Sequence, residues 1–479
     1  MDSTQSTPSE GSLDNSLINE PVLARTMGLG ALIIYGVGDM LGAGVYALMG
    51  KAAGKMGNAI WLAFVASMVA AVLTGLSYAS LGSRYPRAAG AAFVTQRAFG
   101  WSFLSYIVGL AVTASGLTSF ATQSHAFSGY VLGFLNFAVP GKDSALASAP
   151  TGLWWGLIIA FIGVLTLINF WGMKEATWLN AICTAVEVTG LAIVIFVGLR
   201  FWGTVNYWEV PPPAGSPSDA VGSLSSLLIL QGAVLTFYSF IGFEDMMNVT
   251  EEVKNPRRNF PIGVVVALSI TTVIYIAVAI SAVSVVGWRE LSTSSQPLVD
   301  VVKTGAPGFP IGLFSFIALF AIANTALLNY IMGSRMIYGL ARQGLVPRAL
   351  GKVHPKRLTP HRAILALMVI VLILAFLGNI TQLAYATSML LLLVFVVVNA
   401  ALIILKRRPD EPRGAFEIPT FVPAGGILVC LTMLGAAIND PERRPAVFIA
   451  LAMLVGIGVL YGVIRPKNVT EEVLADADA

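Results

Sequence analysis

The stretch that most constrains this chain is residues 36–46, GVGDMLGAGVY. It lies inside an apolar run over residues 27–50, long enough for the roughly 20 residues that a bilayer crossing needs. Yet the middle of that run holds Gly36, Gly38, Gly42 and Gly44 together with one carboxylate, Asp39. Glycine admits non-helical backbone. Hydrocarbon offers no partner to the N–H and C=O groups that a break releases. A glycine-dense interruption is therefore sustainable where protein covers those groups or where they line a cavity. The pattern predicts a discontinuous helix that presents its backbone ends to a solute.

Whether the run meets lipid is settled by composition. The chain has 479 residues, 56% hydrophobic and only 11% charged, with a mean hydropathy of +0.79. Soluble domains carry about 25% charged residues, so this is an integral membrane protein of many helices. The net charge is +4, and the basic residues lie at span ends. That distribution reads as membrane topology, and nucleic acid is not an expected partner. Cys183 and Cys430 both fall in apolar segments and read as small core residues, with no disulfide framework. Residues 1–20 are polar and lack the basic start and short apolar core of a signal peptide. The acidic end TEEVLADADA reads as a tail.

Apolar windows predict twelve spans, centred near residues 39, 70, 117, 160, 190, 238, 273, 324, 369, 394, 430 and 455. The third and eighth run long, and the sixth is interrupted. Loops are short except for YWEVPPPAGSPSDAVGS before the sixth span, GWRELSTSSQPLVDVVKTGAPGFP before the eighth, and a basic loop after the eighth. No separate soluble domain fits. If the N-terminus is cytoplasmic, eight basic residues face outward: Lys51, Lys55, Lys142, Arg200, Arg289, Lys303, Arg443 and Arg444. That leaves 21 of the 29 lysines and arginines inside, which predicts both termini cytoplasmic and an even number of spans.

The chain also repeats. The sixth span, LQGAVLTFYSFIGFEDMMNVTEEV, has a second interruption near Gly242, beside Glu244 and Asp245, about 200 residues after the first. Spans three to five are offset from eight to ten by a similar amount. A repeat of five spans must lie inverted relative to its partner. Matching glycine-broken helices in two inverted halves point to the midplane site of a secondary transporter. The expected organisation is a tail over residues 1–26, a first repeat over 27–201 and an outer loop over 202–224. A second repeat over 225–408, two further helices over 409–465 and a tail over 466–479 complete it.

Four motifs make the reading more specific: GDMLGAGVYALMG, YPRAAGAAFVTQRAFG after the second span, FYSFIGFEDMMNVTEEVKNPRRNFPIG, and SRMIYGLARQGLVP at the end of the eighth. Together, in this order, they resemble the amino acid–polyamine–organocation superfamily of permeases. The resemblance covers about the first 350 residues and implies an all-α fold of twelve spans: a LeuT-like five-plus-five inverted repeat plus two helices. It implies substrate contacts at the two breaks and a plasma-membrane location.

At the first break, the amides of Gly42, Ala43 and Gly44 begin a half-helix whose positive end attracts a carboxylate, and the carbonyl of Met40 closes the other half. A branched side chain at Gly44 is expected to occupy the carboxylate's place. At the second break, the carbonyls of Phe240 and Ile241, next to Gly242, suit an ammonium. The resemblance puts Tyr238 and Phe240 beside them as aromatic walls, and an aromatic side chain beside a half-helix end can cover a bound solute, so Phe240 is expected to act as a lid. The alternative is that these glycines only let helices pack closely.

A carboxylate at mid-bilayer costs about 2.5–3.5 kcal/mol on insertion scales, so Asp39, Glu187, Glu244 and Asp245 each need a reason. Glu244 reads either as a cap on freed N–H groups or as a proton sensor, and Asp245 as a similar cap. In the resembling family some proton-coupled members carry a lysine at the position of Glu187, and Asn180 matches a family asparagine. The opposite charge here means that lysine-based coupling does not carry over. Glu187 is left with proton carriage, a structural hydrogen bond or cation binding, and Asp39 is an alternative proton carrier. Asn324 and Thr325 are polar residues at similar depth and candidates for the same region. His125 reads as a hydrogen-bonded core residue or a pH switch. Glu251, Glu252, Lys254, Arg257 and Arg258 read as an ion-paired inner cluster.

The leading function is alternating-access transport of an amino acid, proton-coupled or by exchange, with the bilayer and protons as partners and no cofactor. A polyamine or other organic cation is the alternative substrate. A membrane-embedded enzyme is disfavoured, since there is no HExxH, no GxSxG with a partner histidine and no Cys/His metal spacing, with three histidines in all. A channel would show filters or charged rings, and no nucleotide-binding loop is present. Oligomeric state is not legible.

Overall fold

The computed structural model describes residues 27–86, 90–135, 139, 148–171, 174–212, 222–342, 345–355, 357 and 359–464. Both expected tails and most of the Pro-rich loop lie outside them. Among the described residues there is no strand, only bridges such as Met27 with Val253. The helices are α1 (Leu29–Leu41), α2 (Ala43–Met56), α3 (Ile60–Arg84), α4 (Gly90–Phe99), α5 (Ser102–Phe134), α6 (Thr151–Trp171), α7 (Lys174–Leu199) and α8 (Ser226–Phe237). They continue with α9 (Pro256–Val285), α10 (Trp288–Thr293), α11 (Pro297–Gly305), α12 (Ile311–Arg342), α13 (His361–Leu377), α14 (Ile380–Arg407), α15 (Phe421–Ile438) and α16 (Arg444–Ile464). Among the described residues ten helical runs are long and apolar enough to cross a membrane, one of them joining α2 to α3; α1 and α13 are shorter apolar helices. Eleven of the expected centres fall in one of these helices, and residue 238 falls in the helical turn after α8.

Helix ends follow local chemistry. Ser225 caps α8 by accepting from Leu228 N at 3.1 Å. Asn379 accepts from the amides of Thr381 and Gln382, while Gln382 Oε1 accepts from Asn379 N, a reciprocal cap that starts α14. Pro256 opens α9, where its missing N–H costs nothing.

The apolar pattern is turned outward as well as inward. On α16, Phe448, Leu451, Val455, Val459 and Val463 are all exposed along one stripe. In water such a stripe forfeits about 25 cal/mol per Å²; facing hydrocarbon it costs nothing. Inside, Tyr78 packs edge-on against Phe243 and Phe395, and Phe237 edge-on against Phe395, with ring centroids 5.7–5.9 Å apart. Cys183 and Cys430 are free and buried, as small core residues.

Two stretches taken as loops contain helix. The stretch 85–100 contains α4, and the stretch 287–310 contains α10 and α11. Both are too short and too mixed in character to register as spans. Tertiary contacts stabilise them: α10 packs on α2, α11 on α7, and α4 on α5 and α14.

Polar contacts gather at two ends of the bundle. One end joins Lys55 to Asp440, Asn58 to Glu209 and Trp61 to the carbonyl of Tyr207. The other joins Arg84 to Glu417, Tyr85 and Arg97 to Glu411, and Lys254 N to the carbonyl of Met27.

Candidate functional site

Both interruptions are present, and they touch. α1 stops at Leu41 because Gly42 turns to φ −69°, ψ −124°, and α2 starts directly after it. α8 passes into one 3-10 turn, Tyr238–Phe240, and then Ile241 is extended at ψ 135°. Gly242 follows at φ +127°, where a side chain would be strained, and a Cβ there would lie 3.0 Å from the backbone carbon and the carboxyl carbon of Asp39. The chain continues as the 3-10 segment Asp245–Glu252.

The freed carbonyls are covered. The hydroxyl of Tyr275 on α9 donates to Met40 O in the first break and, at 2.6 Å, to Ser239 O in the second. One proton is shared between two helix ends. The amide of Gly242 donates to Glu244 Oε2 at 2.9 Å. Asp245 does not repeat that cap; it accepts from Asn248 Nδ2 at 3.2 Å.

Gly44 corrects an expectation. A Cβ there would sit 2.5–2.9 Å from Ser239 Cα, Oγ and Cβ. A larger side chain would push the two breaks apart, so Gly44→Leu tests packing and not occlusion of an open site. Gly42 lies likewise against Thr325 of α12. The side chain of Ala43 falls outside the described residues, as do those of Glu251 and Glu252.

Glu187 of α7 is fully buried. Its Oε1 accepts from Asn324 Nδ2 at 3.1 Å, and Asn324 Nδ2 also reaches Asn180 Oδ1 at 3.1 Å. The hydroxyl of Tyr46 on α2 donates to the Glu187 backbone carbonyl at 3.2 Å. Glu187 Oε2 and Asp39 Oδ2 have no hydrogen-bond partner. Asp39, Glu187, Glu244 and Asp245 are all buried. Among the described residues none of the four forms an ion pair.

A narrow cleft of about 20 Å³, room for little more than one water, opens beside the second break. Ile241, Glu244, Asp245 and Asn248 form one wall, Ser115 and Gly116 of α5 a second, and Asn329 and Met332 of α12 a third. Tyr238 and Phe240 do not line it. The Tyr238 hydroxyl lies 2.8 Å from Ser119 Oγ, and Phe240 is fully buried with its ring edge-on to Tyr275 at 5.2 Å. The structure thus gathers the sequence-named residues around the paired breaks, while only Ile241 and Glu244 of the substrate and coupling candidates reach the cleft. His125 is a bonded core residue, with Nε2 2.9 Å from Ala375 O. Among the described residues no cluster of metal-binding side chains occurs.

Sequence reasoning missed Tyr275, Ser239 and Asn329. Tyr275 had a visible signal, the single tyrosine of an apolar span. The carbonyls it serves lie 235 and 36 residues away, and nothing local points to them.

The profile described as amino acid permease matches residues 28–460. The chain is 29% identical to a methylthioribose transporter of Bacillus subtilis over 90% of its own length and 93% of that protein. It is 26% identical to a branched-chain amino acid permease of the same bacterium, over 87% and 88% of the two chains. To cationic amino acid transporter 4 of Mus musculus it is 28% identical, over 91% of this chain and 70% of that one. Spans, paired breaks and this match together exclude an enzyme: the chain is a multi-pass membrane transporter for amino acid-like substrates, and it belongs to the amino acid permease family of the amino acid–polyamine–organocation superfamily.

Proposed function

We propose that this permease moves an amino acid by alternating access, holding it between the two breaks. The observation that carries the reading is the pairing of the breaks. The N-terminus of α2, at Gly42, Ala43 and Gly44, offers positive polarity to a carboxylate. The end of the α8 turn, at Phe240 and Ile241, offers carbonyls to an ammonium. Tyr275 joins the two, so they move as one unit. Met40, Tyr238, Phe240 and Gly242 surround that unit.

Packing supports an inverted five-plus-five repeat within twelve spans. α1 lies on α9 as α8 lies on α3; α1 lies on α7 as α8 lies on α14; α12 lies on α7 as α5 lies on α14. These are the reciprocal pairs that exchanging the halves requires. The two polar ends agree with cytoplasmic termini in a plasma membrane, with Arg84 and Arg97 inside and Lys55 and Arg289 outside. Protons are the proposed coupling ion, with Glu187 as carrier, Asn324 and Thr325 as its setting, and Asp39 and Glu244 as further acidic groups at the breaks.

A second reading, transport of a cationic amino acid or polyamine, is favoured by one observation: four buried carboxyls without an ion pair among the described residues. Proteoliposome uptake across a panel of leucine, alanine, lysine, arginine and putrescine, with and without a pH gradient, tests both. Leucine and alanine uptake that rises with an acid exterior is expected. Uptake confined to lysine, arginine or putrescine would favour the second reading, and no uptake of any would sink both.

A further inference from the structure

A second cleft, of about 250 Å³, lies at the other end of the bundle from Glu417, between α2, α14 and the start of α16. Lys51 and Lys55 of α2, Gln382 and Tyr385 of α14, and Glu442 and Arg443 wall it. Arg443 is the anomaly. Its side chain is only 3% exposed. Its Nε donates to Asp440 Oδ2 at 2.9 Å, and its guanidinium carbon lies 4.0 Å from the centre of the Tyr385 ring. Nη1 and Nη2 are buried and have no hydrogen-bond partner. A charged donor pair left unmet in this way is costly and calls for an explanation.

The carboxylates nearby are already committed. Asp440 Oδ2 also accepts from Lys55 Nζ at 3.3 Å, and Asp440 Oδ1 accepts from Glu442 N at 3.1 Å. Glu442, mostly exposed, takes Lys55 at 3.5 Å. Lys51, half-buried on the same wall, forms no ion pair among the described residues. Three cations therefore face two carboxylates, and the unmet donors are the Arg443 fork and the Lys51 ammonium. A planar guanidinium fork matches two oxygens of one oxyanion, and stacking on Tyr385 holds its plane. Leu235, Ala446 and the Tyr385 ring supply apolar wall.

We infer that this cleft is a binding site for an oxyanion, the carboxylate of a small organic acid or the phosphate of a lipid headgroup, held by the Arg443 fork and Lys51. It stands apart from the paired breaks and does not rest on their role. Because Lys51 belongs to α2 and Arg443 immediately precedes α16, a bound oxyanion ties the half-helix that leaves the first break to the last helix of the bundle.

The test is calorimetric titration of the full-length protein in uncharged detergent with sodium propionate and with inorganic phosphate, against sodium chloride at matched ionic strength. Propionate has no ammonium, so it lacks half of what the paired breaks offer. Saturable binding is expected for the wild type. Arg443→Lys keeps the charge toward Asp440 but loses the fork and should weaken binding about tenfold. Lys51→Gln, on a half-buried side chain without an ion pair, should also weaken it and keeps the test open if the first variant does not fold. A third arm uses phosphatidylcholine nanodiscs with and without phosphatidylglycerol. If either nanodisc weakens propionate binding to the wild type relative to detergent, the natural oxyanion is a headgroup phosphate; if neither does, it is a soluble oxyanion. Heats no different from the chloride control, or folded variants that bind as the wild type does, would overturn the proposal.

Discussion

The residue that decides most is Glu187. A carboxyl in an apolar helix is expensive, and the structure gives it one donor, Asn324 Nδ2 at 3.1 Å, while leaving Oε2 unpartnered. A residue serving only as a hydrogen-bond acceptor would be replaceable by its amide. Glu187→Gln keeps an acceptor for Asn324 and cannot ionise. On the proposed reading, its uptake loses all stimulation by an acid exterior, while exchange of internal for external amino acid continues at near wild-type rate. Flux measured in proteoliposomes with and without the gradient checks this. An unchanged response to the gradient would return Glu187 to a structural role and make Asp39, whose Oδ2 is also unpartnered, the next residue to change.

Among elements, the paired breaks behave as one object because a third element joins them. α9 runs past both interruptions and places the Tyr275 hydroxyl on Met40 O and Ser239 O. Neither carbonyl can complete its helix ladder, and neither is near water. Tyr275→Phe removes the only polar atom and keeps the ring that packs on Phe240 and Phe64. Leaving buried acceptors without a donor costs about 1–3 kcal/mol. The variant is expected to unfold at lower temperature in detergent and to exchange substrate at an altered rate. A melting curve superimposable on the wild type would mean that the two carbonyls find other donors and that Tyr275 does not join the breaks.

Across the whole molecule, the end opposite the oxyanion cleft is tied by Glu417. Arg84, at the end of α3, donates to Glu417 through Nε and Nη2, both at 2.8 Å, and Lys406 of α14 lies 3.4 Å away. Burial pushes the Glu417 carboxyl up, but the Arg84 hydrogen bonds, the Gly414 amide and the Arg84 and Lys406 charges outweigh it and hold it below the ordinary carboxylate value. A carboxyl with a lowered folded-state pKa stabilises fully above its unfolded value, about 4.3, and loses that contribution as pH falls through the folded value. Glu417→Gln should therefore cost stability at neutral pH and match the wild type in strong acid. The loss should be about 1–2 kcal/mol, the low part of the range for charged hydrogen bonds, because Glu417 is one-third exposed. Thermal unfolding from pH 7 down to pH 3 checks the sign: a gap between the two proteins that widened toward acid would contradict it.

What the sequence determined by itself was everything that depends on local hydropathy and local backbone freedom. The twelve centres, the glycine breaks at Gly42 and Gly242, and the four motifs of the family are all contiguous signals, because a span is a run of about 20 apolar residues and a break is a few glycines within it. Only tertiary structure decided what meets across the bundle. Glu187 finds Asn324 from 137 residues away, Tyr275 reaches Met40 from 235, and Gly44 packs on Ser239 and does not open into a pocket. It also turned residues 90–99, 288–293 and 297–305 into helix. Those segments are too short to fold on their own propensity and take their shape from the helices they lie on. A periodicity carries no record of which distant backbone group its polar residue will serve, and in a bilayer that pairing is the part of the fold that water cannot substitute.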